Sequence, residues 1–432
     1  AFAFAFCLCV RALALAPTGG ELRDRDRWVK AHLLEARSEQ RDRPLPFAFI
    51  FDGRPADEAL AGWRRSLKTE PLDPSRVRHT LTWTDPATGL EVRCVAVTFR
   101  DFPAVEWVLH FTNTGANDTP LLEQIRSLDT SVDGAAEGMR LHYSLGDHNS
   151  ARSFEPVVET LPASGGQEKV FAPKGGRSSD PHLPYFNLQR PSDGIVIAVG
   201  WSGQWEAGFG PSGTDAVAIR AGQQLTRFRL HPGETVRTPG VLLVFSRGAE
   251  ALRGNNLFRQ LQLAHYAPRR EGQWVFPPIC ASVNHTDPDG SYEGPHVQVM
   301  PALAGRGFEV FWSDMDPQHW YPGDFPQGTG NWVVDPKKYP NGLAPVGRAA
   351  RAAGLGYLLW FEPERVAPGT RVAREHPEFV HGGSNGGLFK FGDPTAWNWM
   401  LELLDRYVTE AQITWVRWDF NMEPLKHCRG ND

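Results

Sequence analysis

Residues 395–421 read TAWNWMLELLDRYVTEAQITWVRWDFN, and the pattern changes once within them. Residues 395–412 carry the spacing of a helix, and 413–420 form a run of β-branched and aromatic residues that predicts a strand. The same grammar holds after Pro277-Pro278. Short apolar strands are predicted at 279–283, 308–312 and 355–361, with another helix at 343–353. Strand, helix, strand repeated predicts parallel βα units, as in a barrel or a doubly wound sheet.

Upstream, residues 47–250 show period-two alternation broken by turn residues. Residues 90–99 alternate, and Val105, Trp107, Leu109 and Phe111 share one face of the next strand. Apolar runs at 195–199 and 241–245, with turns at Asn113-Thr114-Gly115 and His231-Pro232-Gly233, complete an all-β pattern that predicts an antiparallel sandwich. Residues 255–266 then read as a helix with Leu257, Leu261 and Ala264 on one stripe. The charged stretch 21–45 reads as a surface lead-in. The expected organisation is therefore 1–20 as a signal-peptide remnant, 21–270 as the β domain with its connecting helix, and 271–432 as the βα domain.

Composition narrows the function. Lys and Arg total 45 against 50 Asp and Glu in 432 residues, a net charge of −5. That balance argues against a nucleic-acid binder held by phosphate neutralisation. The 15 Trp residues suit a protein that stacks flat faces on sugar rings, and equally one that fills its cores with them. Five scattered cysteines read as free thiols, and no metal site is expected. The apolar run AFAFAFCLCVRALALA at the start leaves two readings open. If it is a signal, the protein is secreted or periplasmic; otherwise it is cytoplasmic. Arg11 and the shortness of the run argue against a membrane span.

Candidate chemistry lies at strand ends. In Trp415-Val416-Arg417-Trp418-Asp419-Phe420-Asn421, alternation places Trp415, Arg417, Asp419 and Asn421 together. A carboxylate kept ionised by a neighbouring cation suits a nucleophile, and the same spacing also suits a structural ion pair. Alternation likewise groups Trp360, Glu362 and Glu364, and Trp312, Asp314 and Asp316. Three strands ending in an aromatic followed by carboxylates suggest an acidic cavity with stacking surfaces, suited to sugar binding. Other motifs fit less well. Asp287-Pro288-Asp289-Gly290 has Gln298, not Glu, at the twelfth position of a calcium loop. Gly382-Gly383-Ser384-Asn385-Gly386 matches the nucleophile-elbow string but lies in a glycine-rich loop.

Trp360-Phe361-Glu362-Pro363-Glu364, Glu375-His376-Pro377, Gly330-Asn331-Trp332 with Asp335-Pro336, and Trp418-Asp419-Phe420-Asn421 resemble, in order and spacing, the α-galactosidases of glycoside hydrolase family 36. The segments at 102–107 and around Gly200-Trp201 resemble that family's β-supersandwich. The resemblance implies a supersandwich followed by a (β/α)8 TIM barrel, and retaining hydrolysis of terminal α-galactosides without a cofactor. It makes Asp419 the nucleophile, with Arg417 where many members carry Lys, and Asn421 as the amide after it. Asp314, Asp316, Glu362, Arg417 and Asn421 become substrate-binding candidates and Trp360 a sugar-stacking one, while Glu362 and Glu364 fit bracing of the barrel mouth equally well. The family's general acid/base is an Asp on a later barrel strand, so it is expected outside this chain. Residues 275–432 are fewer than the roughly 250 that such a barrel takes. The chain is accordingly expected to hold about half of the barrel, to be truncated at its C-terminus, and to be inactive alone. The expected partner is an α-galactoside, with no nucleic acid, no membrane, and homo-oligomerisation left open. The alternatives are an α-N-acetylgalactosaminidase, a galactosyl transferase, or a non-catalytic sugar-binding fragment.

Overall fold

The computed structural model describes residues 16–35, 45–135, 138–147, 149–162, 164–315 and 319–429. The chain divides into two compact units, residues 1–268 and 269–432.

In the first unit, two antiparallel sheets, of seven and ten strands among the described residues, face each other. Strands β1 (Leu90–Phe99) and β2 (Ala104–Asn113) belong to the larger sheet. Their register pairs Val92 with Phe111, Cys94 with Leu109 and Ala96 with Trp107. Every one of these side chains is buried, as the alternation requires. The smaller sheet contributes Leu122 and Leu128 from β3 (Leu122–Asp133), and Val217 and Ile219 from β4 (Ala216–Gln223). The Trp107 indole donates to the Ser127 carbonyl at 2.8 Å, so a buried donor also ties the sheets together. Burial of each large apolar side chain contributes about 1.5–3 kcal/mol.

The outer face of the larger sheet is covered by helix α2 (Ala251–Leu261) after β5 (Gly240–Arg247). Leu257, Phe258 and Leu261 pack on Ala104, Val196, Ala198, Leu242 and Val244.

The expected lead-in is instead an ordered helix, α1 (Gly19–Val29), opened by a Thr18/Glu21 capping box. Glu21 is fully buried, 2.5 Å from Arg253 in α2, and accepts the Arg247 amide at 3.0 Å. Arg25 donates to the Phe102 carbonyl at 3.1 Å. A charged stretch here folds inward because its charges find partners far along the chain. Residues 1–15, with the apolar run and Cys7 and Cys9, lie outside the described residues. Cys94, Cys280 and Cys428 form no disulfide among the described residues, and no described helix is long and apolar enough to cross a membrane.

The second unit is built on a parallel sheet of four strands in sequence order: β6 (Cys280–Ala281), β7 (Val310–Ser313), β8 (Gly356–Phe361) and β9 (Trp415–Trp418). Helices α3 (Glu293–Leu303), α4 (Ala344–Ala352) and α5 (Pro394–Glu410) lie in the three crossovers. The sequence reading did not foresee α3, whose glycine and two prolines contradict helical propensity. Helix α5 starts where Asp393 caps the amides of Thr395 and Ala396, and it buries Ala396, Met400, Leu403 and Tyr407 on one stripe. In α4, a methyl group at Gly347 would lie 1.8 Å from the Ala411 carbonyl oxygen, so the helix meets the segment entering β9 at backbone contact. The core of the unit is aromatic, with Trp320, Tyr321, Trp332, Trp360, Phe361 and Tyr407 packed together.

Candidate active site

Because β7, β8 and β9 are parallel, the residues that follow them emerge at one edge of the sheet. Asp314 follows β7, Glu362 follows β8 and Asp419 follows β9. The register sets Trp360 opposite Arg417. These are the strand ends where enzymes built on βα units place their chemistry.

Asp419 is the centre of the cluster. Its amide donates to the Phe361 carbonyl at 2.8 Å, continuing the strand ladder and fixing the backbone under the carboxylate. Oδ2 accepts the Trp360 indole N–H at 3.0 Å, and Oδ1 accepts the Phe420 amide at 2.9 Å. The Arg417 guanidinium is 3.6 Å from Oδ2. Burial pushes the Asp419 carboxyl up, but hydrogen bonds from Asn421, Trp360 and Phe420, with the charge of Arg417, outweigh it and hold the group below the ordinary aspartate value. The result is an ionised carboxylate whose orientation is fixed by donors from two strands and the loop after β9.

Arg417 also faces Asp314, with Nε 3.9 Å from Oδ2, and its guanidinium lies 5.1 Å from the centre of the Trp312 ring. Asp314 Oδ1 accepts the Met315 amide at 2.6 Å. One cation thus stands between two carboxylates on neighbouring strand ends. Asp316, the other sugar-contact candidate, lies outside the described residues.

Two expectations are corrected. Trp360 offers no stacking face: its ring is buried among Tyr321, Phe325 and Trp332, and it meets Asp419 through its edge. Its carbonyl accepts the Trp320 indole at 2.9 Å, which locks it further. Glu362, expected to bind substrate, is fully buried, and its Oε1 accepts the Asn421 amide at 2.5 Å. Burial pushes its carboxyl up; the Asn421 amide and Arg365 oppose this, while the like charge of Asp419 adds to it. Glu364 also leaves the face that alternation assigned it, because the strand has ended before Pro363, and it accepts the Trp418 indole at 2.7 Å. Trp312, which alternation grouped with Asp314, lies under Arg417, and a residue that alternation did not single out is Arg365, 3.1 Å from Glu362. The Glu362/Arg365 spacing of three was the one available signal for the latter. Among the described residues no group of three or more His, Cys, Asp or Glu could hold a metal ion.

The melibiase family model matches residues 302–428, which span β7, β8, β9 and this cluster. The chain is 25% identical over 359 residues to alpha-galactosidase C of Emericella nidulans, covering 75% of this chain and 45% of that protein. It is 25% identical to alpha-galactosidase AgaA of Geobacillus stearothermophilus, covering 78% of this chain and 47% of that protein.

Over residues 302–428 this chain is similar to the melibiases.

The solved AgaA structure shares its fold, with a TM-score of 0.70 at 19% identity, covering 90% of this chain and 57% of that one. The Lactobacillus brevis α-galactosidase gives 0.66 at 18% identity, covering 90% of this chain and 55% of that one. The chain spans less than half of the length of the two curated melibiases above.

Proposed function

We propose that this chain supplies the nucleophile and part of the sugar-binding wall of a retaining α-galactosidase. The observation that carries the reading is the Asp419 carboxylate, held ionised and oriented by Trp360, Phe420, Asn421 and Arg417 at the end of β9. In this reading the four βα strands are the first part of a (β/α)8 barrel, and the site lies at its C-terminal mouth.

Asp419 attacks the anomeric carbon of a terminal α-galactoside. The new bond is from C1 to a carboxylate oxygen, and the bond from C1 to the leaving oxygen breaks with its electron pair. A general acid protonates that oxygen, and the same residue as base then activates water to release galactose. We place this acid/base outside the described residues. The two remaining carboxyls near Asp419 are each held in place, Glu362 by Asn421 and Arg365, and Glu364 by Trp418. Asp314, bridged to the nucleophile by Arg417, is assigned to sugar hydroxyls. Variants of the relative AgaA have been solved in complex with stachyose and with raffinose, and both are fitting first substrates to test.

The deciding experiment is hydrolysis of an aryl α-galactoside by the gene product that carries this chain. Asp419→Gly should lose activity and regain turnover with azide, which substitutes for the missing carboxylate. Normal turnover by Asp419→Ala would overturn the assignment.

A further inference from the structure

The geometry points to Arg365 and Glu362 as a two-residue clamp that positions the nucleophile by holding both main-chain polar groups of Asn421. This inference rests on Asp419 being the nucleophile.

The clamp grips one peptide residue from two sides. Glu362 Oε1 accepts the Asn421 N–H at 2.5 Å, and Arg365 donates to the Asn421 carbonyl. An acceptor and a donor side by side thus satisfy the amide and the carbonyl of one residue. The two are themselves 3.1 Å apart, three residues apart in the loop after β8. Arg365 is fixed in turn, because Arg365–Val366 pairs with Gly387–Leu388 in a short antiparallel ladder. Neither member is free to follow solvent: Glu362 is fully buried, and the Arg365 side chain is 15% exposed.

From there the constraint reaches the nucleophile by two routes. With its main chain held, Asn421 stays beside Asp419, whose carboxyl it helps to hold below the ordinary value. The Arg365 guanidinium also lies 5.2 Å from the centre of the Phe325 ring, Phe325 meets Trp360 edge-on at 5.9 Å, and Trp360 donates to Asp419 Oδ2 at 3.0 Å. Among the described residues, neither Glu362 nor Arg365 donates a hydrogen bond to the Asp419 carboxylate. They are positioning residues, and their effect should fall on the chemical step rather than on binding.

The test compares kcat and KM for an aryl α-galactoside in the gene product that carries this chain, with thermal midpoints measured in parallel. Glu362→Ala and Arg365→Ala should each lower kcat by ~10²-fold with KM nearly unchanged, since misplacing a reacting group by about 1 Å costs that much. Glu362→Gln keeps the acceptor for the Asn421 amide and should recover most of the loss. Should an alanine variant fail to fold, Arg365→Lys carries the test: it keeps the charge, loses the forked reach to Asn421, and should lower kcat by roughly tenfold. Unchanged kcat in a folded alanine variant or in Arg365→Lys, or losses confined to KM, would overturn the clamp. Asp419→Gly separates the two readings. If it is inactive and rescued by azide while the clamp variants are normal, the clamp alone falls. If it retains full turnover, the nucleophile reading falls and the clamp with it.

Discussion

Two buried glutamates, one in each unit, face an arginine at close range and are driven in opposite directions. In the β-sandwich, Glu21 receives Arg253, the amides of Thr18 and Arg247, and the Thr18 hydroxyl. Burial pushes its carboxyl up, yet these donors together bring it down to about 2. In the βα unit, Glu362 receives the Asn421 amide and Arg365 on one oxygen, while Oε2 is buried without a hydrogen bond among the described residues. Its carboxyl is raised, and Asp419 lies near enough to add to the shift. The difference lies in how completely the anion is solvated by protein donors, among which Arg253 is foremost for Glu21. A fully satisfied carboxylate fastens one helix to another. A half-satisfied one beside a second carboxylate marks a place where stability has been given up to hold a geometry.

This contrast can be pressed from both sides. The largest effect should come from Asp419→Asn, which keeps the shape and removes the charge: kcat on an aryl α-galactoside should fall by on the order of 10³-fold or more, measured against a substrate-saturation curve. Next is Arg253→Ala, which leaves Glu21 buried without its cation. Chemical denaturation of the whole chain should show the sandwich losing about 3–5 kcal/mol. A Trp360→Phe change comes third, since it keeps the ring and deletes the N–H to Asp419. With a hydrogen bond to a charged group contributing about 1.5–3 kcal/mol, kcat should drop by about 10- to 10²-fold. The acid limb of kcat/KM should also move to higher pH, because the lost donor lets the Asp419 pKa rise. Smallest is the pH dependence of the sandwich. Glu21 has a folded pKa of about 2 against an ordinary value of 4.5. Its contribution is therefore whole above pH 4.5 and is lost as pH falls toward 2. The unfolding midpoint should decline across that window, and Glu21→Gln should flatten the decline. A midpoint in Glu21→Gln that fell as steeply as wild type would remove Glu21 from the account.

How much of this could be read in advance depends on range. The alternation at 90–99 and 105–111 foretold β1 and most of β2, because a half-buried strand writes its faces into neighbouring letters. The same rule put Arg417 and Asp419 on one face, and the strand register then sets Trp360 opposite Arg417. It misplaced Glu364, since the count of two was carried past the end of β8. It misread Trp360 as a stacking face because the rings that cover it, Tyr321, Phe325 and Trp332, come from the long connection between β7 and α4. Likewise Glu21 and Arg25 read as surface charges, since their partners lie some 77 to 232 positions away. Local periodicity reports which way a side chain points, and says little about what will arrive to meet it.

Gly347 shows what such an arrival demands of a sequence. Inside a helix, glycine ordinarily lowers stability by roughly 0.5–1 kcal/mol relative to alanine, so improving helix propensity would favour replacing it. Here the missing methyl is the clearance between α4 and the Ala411 carbonyl, a few residues ahead of the strand that delivers Asp419. The glycine works as a shim: thickening it by one carbon would lever the strand that carries Asp419 away from its neighbours. Improvement by statistical propensity would therefore damage the protein at a position that touches neither the carboxylate nor its donors.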